Sequence, residues 1–315
     1  VAILLLALAI TVLSLLGGLA PRAFSGRLSG KQLEVLTGVA SGLLLASALM
    51  VVIPEGFHTA VVSDVEVHDE HSELADPHDA DEHDADQHSN EEAGFTHDAE
   101  EPIHLEEGSG FVYSPELLGL TILAGFVAML LLEGFGVGHA VHEEHHDHAD
   151  GHGHGHVHHP TSMPVLVIGL SAHALADGLA IGAAAVAGDT AVSMLVAFAV
   201  LLHRVPAAFS LGLFALHETE DISAATRGLF AFALATPVAM LLAYVLLNGA
   251  SQGVVALTLL FSAGTFVYVA TVDTLPAIHN PEIGRSSVRN VIIGVVLFTA
   301  VLFLASATGV LEHAH

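Results

Sequence analysis

Eight apolar stretches dominate this chain, at about 1–20, 33–53, 116–136, 163–187, 191–216, 228–248, 253–275 and 288–311. A helix rises about 1.5 Å per residue, so a run of about 20 residues crosses the apolar core of a bilayer. Each stretch is long enough to do so. The expected fold is therefore an all-α integral membrane protein with eight transmembrane helices, residues 1–315 forming a single transmembrane domain. With 53% hydrophobic residues and a mean hydropathy of +0.66, the chain is far too apolar for one soluble domain. The stretch Val1 to Ala20 lacks a basic leading region and is too long for a signal-peptide core, so it too is expected to be a span.

The fourth stretch, Met163 to Ala187, carries His173 and Asp177, where a span should hold nothing polar. Four residues apart, they fall on one face of the helix, one turn from each other. Counted from Pro164, His173 lies about half-way through the apolar thickness. Ionisable groups at that depth are expensive and usually line a pathway, and nitrogen with carboxylate oxygen suits a divalent transition metal. The fifth stretch contains Leu202-His203-Arg204-Val205-Pro206. Proline removes the hydrogen bond to the Leu202 carbonyl and is expected to kink the helix beside His203. A short turn at Gly188 and Asp189 makes the two helices antiparallel neighbours, with His203 at a depth close to that of His173. His173, Asp177 and His203 can thus converge on one ion. Gly178 and Gly182 add a small-residue face for close approach of another helix.

Basic residues orient the chain. Arg22, Arg27 and Lys31 precede the second span, Arg227 the sixth, and Arg285 and Arg289 the eighth, while the loops on the other side hold none. Basic loops are cytoplasmic, which puts both termini outside. The formal charge of −27 is concentrated in one loop: residues 64–107 hold eighteen acids, seven histidines and no lysine or arginine. Residues 58–115 are therefore expected to form a disordered acidic, histidine-bearing extracellular loop that gathers cations at the outer mouth. Residues 137–162 form a histidine-rich cytoplasmic loop, in which His145, His146, His148, His152, His154 and His156, spaced by Gly151, Gly153 and Gly155, offer weak metal capture. Cysteine is absent, so any zinc must be held by nitrogen and oxygen. Nucleic acid is not an expected partner, since the acidic loop would repel it. The single lysine, Lys31, among so many acids also fits adaptation to high salt. Gly42 to Pro54 and Gly264 to Pro276 share one spacing in spans of opposite direction, as inverted-topology repeats require.

Together these residues resemble the ZIP (Zrt/Irt-like) family of metal transporters. The resemblance rests on His173-Ala174-Leu175-Ala176-Asp177-Gly178 in the fourth span and His203-Arg204-Val205-Pro206-Ala207-Ala208-Phe209 in the fifth. It extends to Leu260 through Val272 in the seventh and Pro54-Glu55-Gly56 at the end of the second, and looks closest to the subfamily of the Golgi-associated vertebrate ZIP. It implies a 3+2+3 helix arrangement with the fourth and fifth helices central, and import of zinc or another divalent metal into the cytoplasm. Two-metal members of the family place Asn, an acid and Glu where this chain has Ala174, Arg204 and Ala207. Arg204 is thus expected to stand in for the second metal, paired with Asp177, Glu133 or Asp273. Glu55, Asp273 and Glu133 are further pathway candidates, and His58 lies near Glu55.

The expected cargo is zinc or another divalent transition metal, with no organic cofactor and no enzymatic activity. Bilayer lipid and metal ions are the expected partners, a homodimer is left open, and the expected location is the cell membrane. Two alternatives use similar residues. A cation-efflux exporter also carries His-x-x-x-Asp in a span but resembles a six-helix bundle with a soluble tail domain. An intramembrane zinc hydrolase would need an extra acid or base near the three ligands.

Overall fold

The computed structural model describes residues 2–24, 30–62, 113–134, 163–188, 190–218, 222–279 and 284–307. Among the described residues every regular element is helical: α1 (Ala2–Phe24), α2 (Gly30–Ser47), α3 (Ile53–Val62), α4 (Pro115–Gly134), α5 (Met163–Ala187), α6 (Thr190–Glu218), α7 (Ile222–Leu247), α8 (Gln252–His279) and α9 (Gly284–Ala307). A π-helical turn, Ala48–Val52, joins α2 to α3 into one span. Eight helical units among these residues are long and apolar enough to cross a membrane, in the order foreseen.

The second span differs from expectation in where it ends. It runs on through Pro54 to Val62, so Glu55 and His58 lie within a helix, and residues 58–62 of the stretch assigned to the outer loop are helical. Proline lacks the N–H an α-helix requires, and its ring crowds the carbonyl four residues back. The π-turn just upstream, in which the Ile53 N–H bonds to the Ala48 carbonyl, opens the coil locally and lets the chain continue. Similarly, α6 continues through Pro206 and α7 through Pro237. Membrane helices tolerate such prolines because neighbouring groups satisfy the released carbonyls.

Without a hydrophobic force between helices in lipid, close packing depends on small residues. The face of Gly178 and Gly182 receives α7: a Cβ on Gly178 would strike the Thr236 carbonyl, and one on Gly182 the Met240 carbonyl and Ala243. The same device recurs on the other pairs. Gly212 of α6 lies against the Gly18 carbonyl of α1, Gly42 of α2 against that of Val291 on α9, and Gly294 of α9 against that of Val39 on α2. Gly264 of α8 abuts the Ile122 carbonyl of α4, and Gly125 of α4 the Phe261 carbonyl of α8. These contacts fall into matched sets. Gly18 and Met240, Val39 and Phe261, and Gly42 and Gly264 share one residue offset; Ile122 and Val291, and Gly125 and Gly294, share a second; Gly182 and Gly212 share a third with His173 and His203. The main apolar core, including Leu44, Val52, Ile181, Val200, Leu259 and Phe266, lies where α2, α5, α6 and α8 meet, and α5 and α6 carry the buried ionisable side chains His173, Asp177, His203 and Arg204.

Candidate metal centre

Helix α5 ends at Gly188, whose φ of 101° is the left-handed conformation that glycine adopts without penalty and that reverses the chain into α6. Packed side by side after so short a turn, the two helices carry His173 and His203 to the same level. Both imidazoles are buried and Asp177 has no exposed surface at all.

The three side chains form one cluster. His173 Nε2 lies 3.3 Å from His203 Nε2, 3.7 Å from Asp177 Oδ1, and His203 Nε2 lies 3.4 Å from Asp177 Oδ2. A tetrahedral zinc with ligands at about 2.0–2.1 Å separates neighbouring donor atoms by about 3.3–3.4 Å. The imidazole nitrogens are therefore spaced as two corners of such a site, with the carboxylate next to the third. His203 Nδ1 lies 3.1 Å from the carbonyl of Ala199, one turn back on its own helix. That contact takes the ring proton on Nδ1 and leaves the Nε2 lone pair turned toward the cluster. Among the described residues, neither oxygen of Asp177 has a hydrogen-bond partner. A buried carboxylate is expected to be hydrogen-bonded, and one that is not keeps its lone pairs available to a cation.

Arg204 follows His203 and is 2% exposed. Its Nη1 lies 3.5 Å from Asp177 Oδ2, so of the three acids named as its partner the structure joins it to Asp177. Nε donates to Ser14 Oγ of α1 at 2.7 Å, and Nη2 donates to the Phe232 carbonyl of α7. The guanidinium also lies 4.3 Å from the centroid of the Phe232 ring, within cation–π range. Next to it, Ala174 packs with Ala208, Leu211 and Phe232, with Ala207 against them, an apolar wall that supplies no donor for a second ion. Thr236 of α7 donates to the Ala174 carbonyl at 2.7 Å.

Neither Glu133 nor Glu55 joins this cluster. Glu133 accepts a hydrogen bond from the Tyr268 hydroxyl, linking α4 to α8, and Phe126 meets the same ring edge-on at 5.1 Å. Glu55 is half-buried in α3. The side chain of Asp273 and the loop histidines His145, His146, His148, His152, His154 and His156 lie outside the described residues. Ser14, Phe232, Thr236 and Tyr268 went unnoticed in the sequence. Hydroxyls and aromatics are common in spans, and only their partners on distant helices distinguish these four.

The profile of the family described as "ZIP Zinc transporter" matches residues 59–306. The chain belongs to the ZIP zinc transporter family. Among its relatives, zinc transporter ZIP9 of Xenopus tropicalis is 34% identical over 296 residues, covering 90% of this chain and 88% of the relative. Zinc transporter ZIP9-A of Xenopus laevis is 33% identical over 294 residues, with the same shares. Zinc transporter ZIP9 of Micropogonias undulatus is 34% identical over 284 residues, covering 87% of this chain and 84% of that protein. ZIP members are transporters and not enzymes, so membership sets aside the hydrolase reading. The subfamily expectation agrees with these relatives: it is to ZIP9 proteins that this ZIP chain is similar along most of its length.

Proposed function

We propose that this protein carries zinc, or a divalent transition metal of similar size, into the cytoplasm through one ion site near the membrane midplane between α5 and α6. His173, Asp177 and His203 supply the ligands, and Arg204 occupies the place of a second ion. One observation carries the proposal: a carboxylate with no exposed surface and, among the described residues, no hydrogen-bond partner lies 3.7 and 3.4 Å from two imidazole nitrogens that are themselves 3.3 Å apart. Nitrogen and carboxylate oxygen in that arrangement suit zinc, and the apolar surroundings exclude competing water. The ZIP9 relatives, named as zinc transporters, agree with that cargo.

Inward movement follows from placing the basic ends of the helices in the cytoplasm, where the exposed Lys31, Arg227, Arg285 and Arg289 would lie, with delivery across the cell membrane. The matched glycine contacts favour an inverted repeat, in which the first three spans and the last three exchange roles about the central pair. Glu55 and Asp273 would stand on the approaches to the site, and the two histidine-bearing loops would gather ions at its mouths.

The test is zinc uptake into proteoliposomes, with equilibrium zinc binding measured on the same purified protein. His173→Ala, Asp177→Ala and His203→Ala should each abolish uptake and binding while the protein stays folded. Undiminished zinc flux in all three variants would reject the site.

A further inference from the structure

The Arg204 guanidinium gives each of its nitrogens to a different helix: Nε to Ser14 on α1, Nη2 to the Phe232 carbonyl on α7, and Nη1 toward Asp177 on α5. The first two are hydrogen bonds. The third, at 3.5 Å, is an ion pair too long to be one. A guanidinium and a carboxylate free to meet close to a forked contact of about 2.7–2.9 Å that uses both carboxylate oxygens. Here they do not close, and both oxygens of Asp177 remain without hydrogen bonds among the described residues.

What holds the pair apart is visible in the direction of the hydrogen bonds. The Ser14 hydroxyl donates to the Ile10 carbonyl of its own helix at 2.7 Å, so its lone pairs are turned outward to accept from Arg204. Ser14 is buried, as is the arginine, so water does not substitute for this acceptor. The ring of Phe232 supports one face of the guanidinium while its carbonyl takes Nη2. Removing the serine oxygen would leave Nε–H buried and unsatisfied, and Asp177 is the charged acceptor already beside the group.

We propose that Ser14 is a positioning residue for ion binding: together with Phe232 it mounts Arg204 just short of Asp177 and so keeps the carboxylate open to a dication. This rests on the ion site proposed above and concerns how that site is kept open. Without the mount, the guanidinium becomes a tethered competitor that closes onto Asp177. Phe232 contributes from the opposite side, and Ser14 acts only through Arg204.

Calorimetric zinc titration of the purified full chain tests this, with proteoliposome uptake giving KM and maximal flux separately. Ser14→Ala should raise the zinc Kd by about tenfold or more, the scale of a hydrogen bond to a charged group, and raise KM with it. Ser14→Thr, which keeps the acceptor, should restore wild-type affinity. In an Arg204→Gln background, Ser14→Ala should change Kd less than twofold, because no charged group remains to close. An unchanged Kd in folded Ser14→Ala, a tighter one, or the same loss in both backgrounds would overturn the proposal. If Ser14→Ala does not fold, Phe232→Leu should give the same weakening, and an unchanged Kd there would overturn it equally. His203→Ala is the separate control: if it binds zinc as the unaltered chain does, the ion site itself has failed.

Discussion

Asp177→Asn keeps the size of the side chain and deletes its charge, leaving Arg204 as a buried cation without its counter-charge. Removing one partner of a buried ion pair costs about 3–5 kcal/mol. Three features put this case near the lower bound. The pair is separated by 3.5 Å rather than hydrogen-bonded, Nε and Nη2 keep the Ser14 and Phe232 acceptors, and the Phe232 ring still faces the charge. The expected loss is about 3 kcal/mol. Arg204→Met strands the carboxylate instead and should cost a similar amount. Combining the two changes removes both charges, so the double variant should be about 2 kcal/mol more stable than the sum of the single losses predicts, within the range seen for contacting pairs. Reversible unfolding in mixed micelles, run as a double-mutant cycle, measures this. Zinc binding should stay absent in both variants that lack the carboxylate, which separates the energetics of the pair from the ion. Strictly additive losses would show that the two charges do not stabilise one another.

Three further outcomes are expected. Gly42→Ala and Gly264→Ala should each destabilise the fold by about 1–3 kcal/mol, because the new methyl meets a backbone carbonyl that cannot yield, and the two losses should be alike; unfolding in micelles measures both. Tyr268→Phe deletes the hydroxyl that bonds Glu133 and should lower stability by about 1 kcal/mol in the same assay while leaving the zinc Kd unchanged. Deleting residues 64–107 should raise the zinc concentration needed for half-maximal uptake and spare the maximal flux, and loss of maximal flux in inserted protein would make that loop part of the fold.

The eight spans could be read from the chain because length and apolarity are local properties, and so could the pairing of His173 with Asp177, since four residues is one helical turn. His203 joined them through a tertiary argument that a very short turn made safe. The partners of Arg204 were harder. Three acids were candidates, and the choice of Asp177 depended on where α4 and α8 pack, which also gives Glu133 to Tyr268. Ser14 bonds back to Ile10 as many span serines do, so nothing in its neighbourhood in sequence points to an arginine on another helix. Pro54 looked like a helix end because the compensating π-turn is built from Ala48 to Val52, residues indistinguishable in type from any α-helical span.

Pairing a fixed cation with the buried carboxylate of Asp177 also has an electrical consequence. With both imidazoles neutral, the empty centre carries no net charge, since Arg204 cancels Asp177. Filled by a dication, it carries two. A transmembrane voltage then has nothing to act on in the empty centre, whereas it acts on the filled one with about 2.3 kcal/mol per charge for each 100 mV. Voltage would thus drive the loaded step alone, and the return of the empty site would be electrically silent.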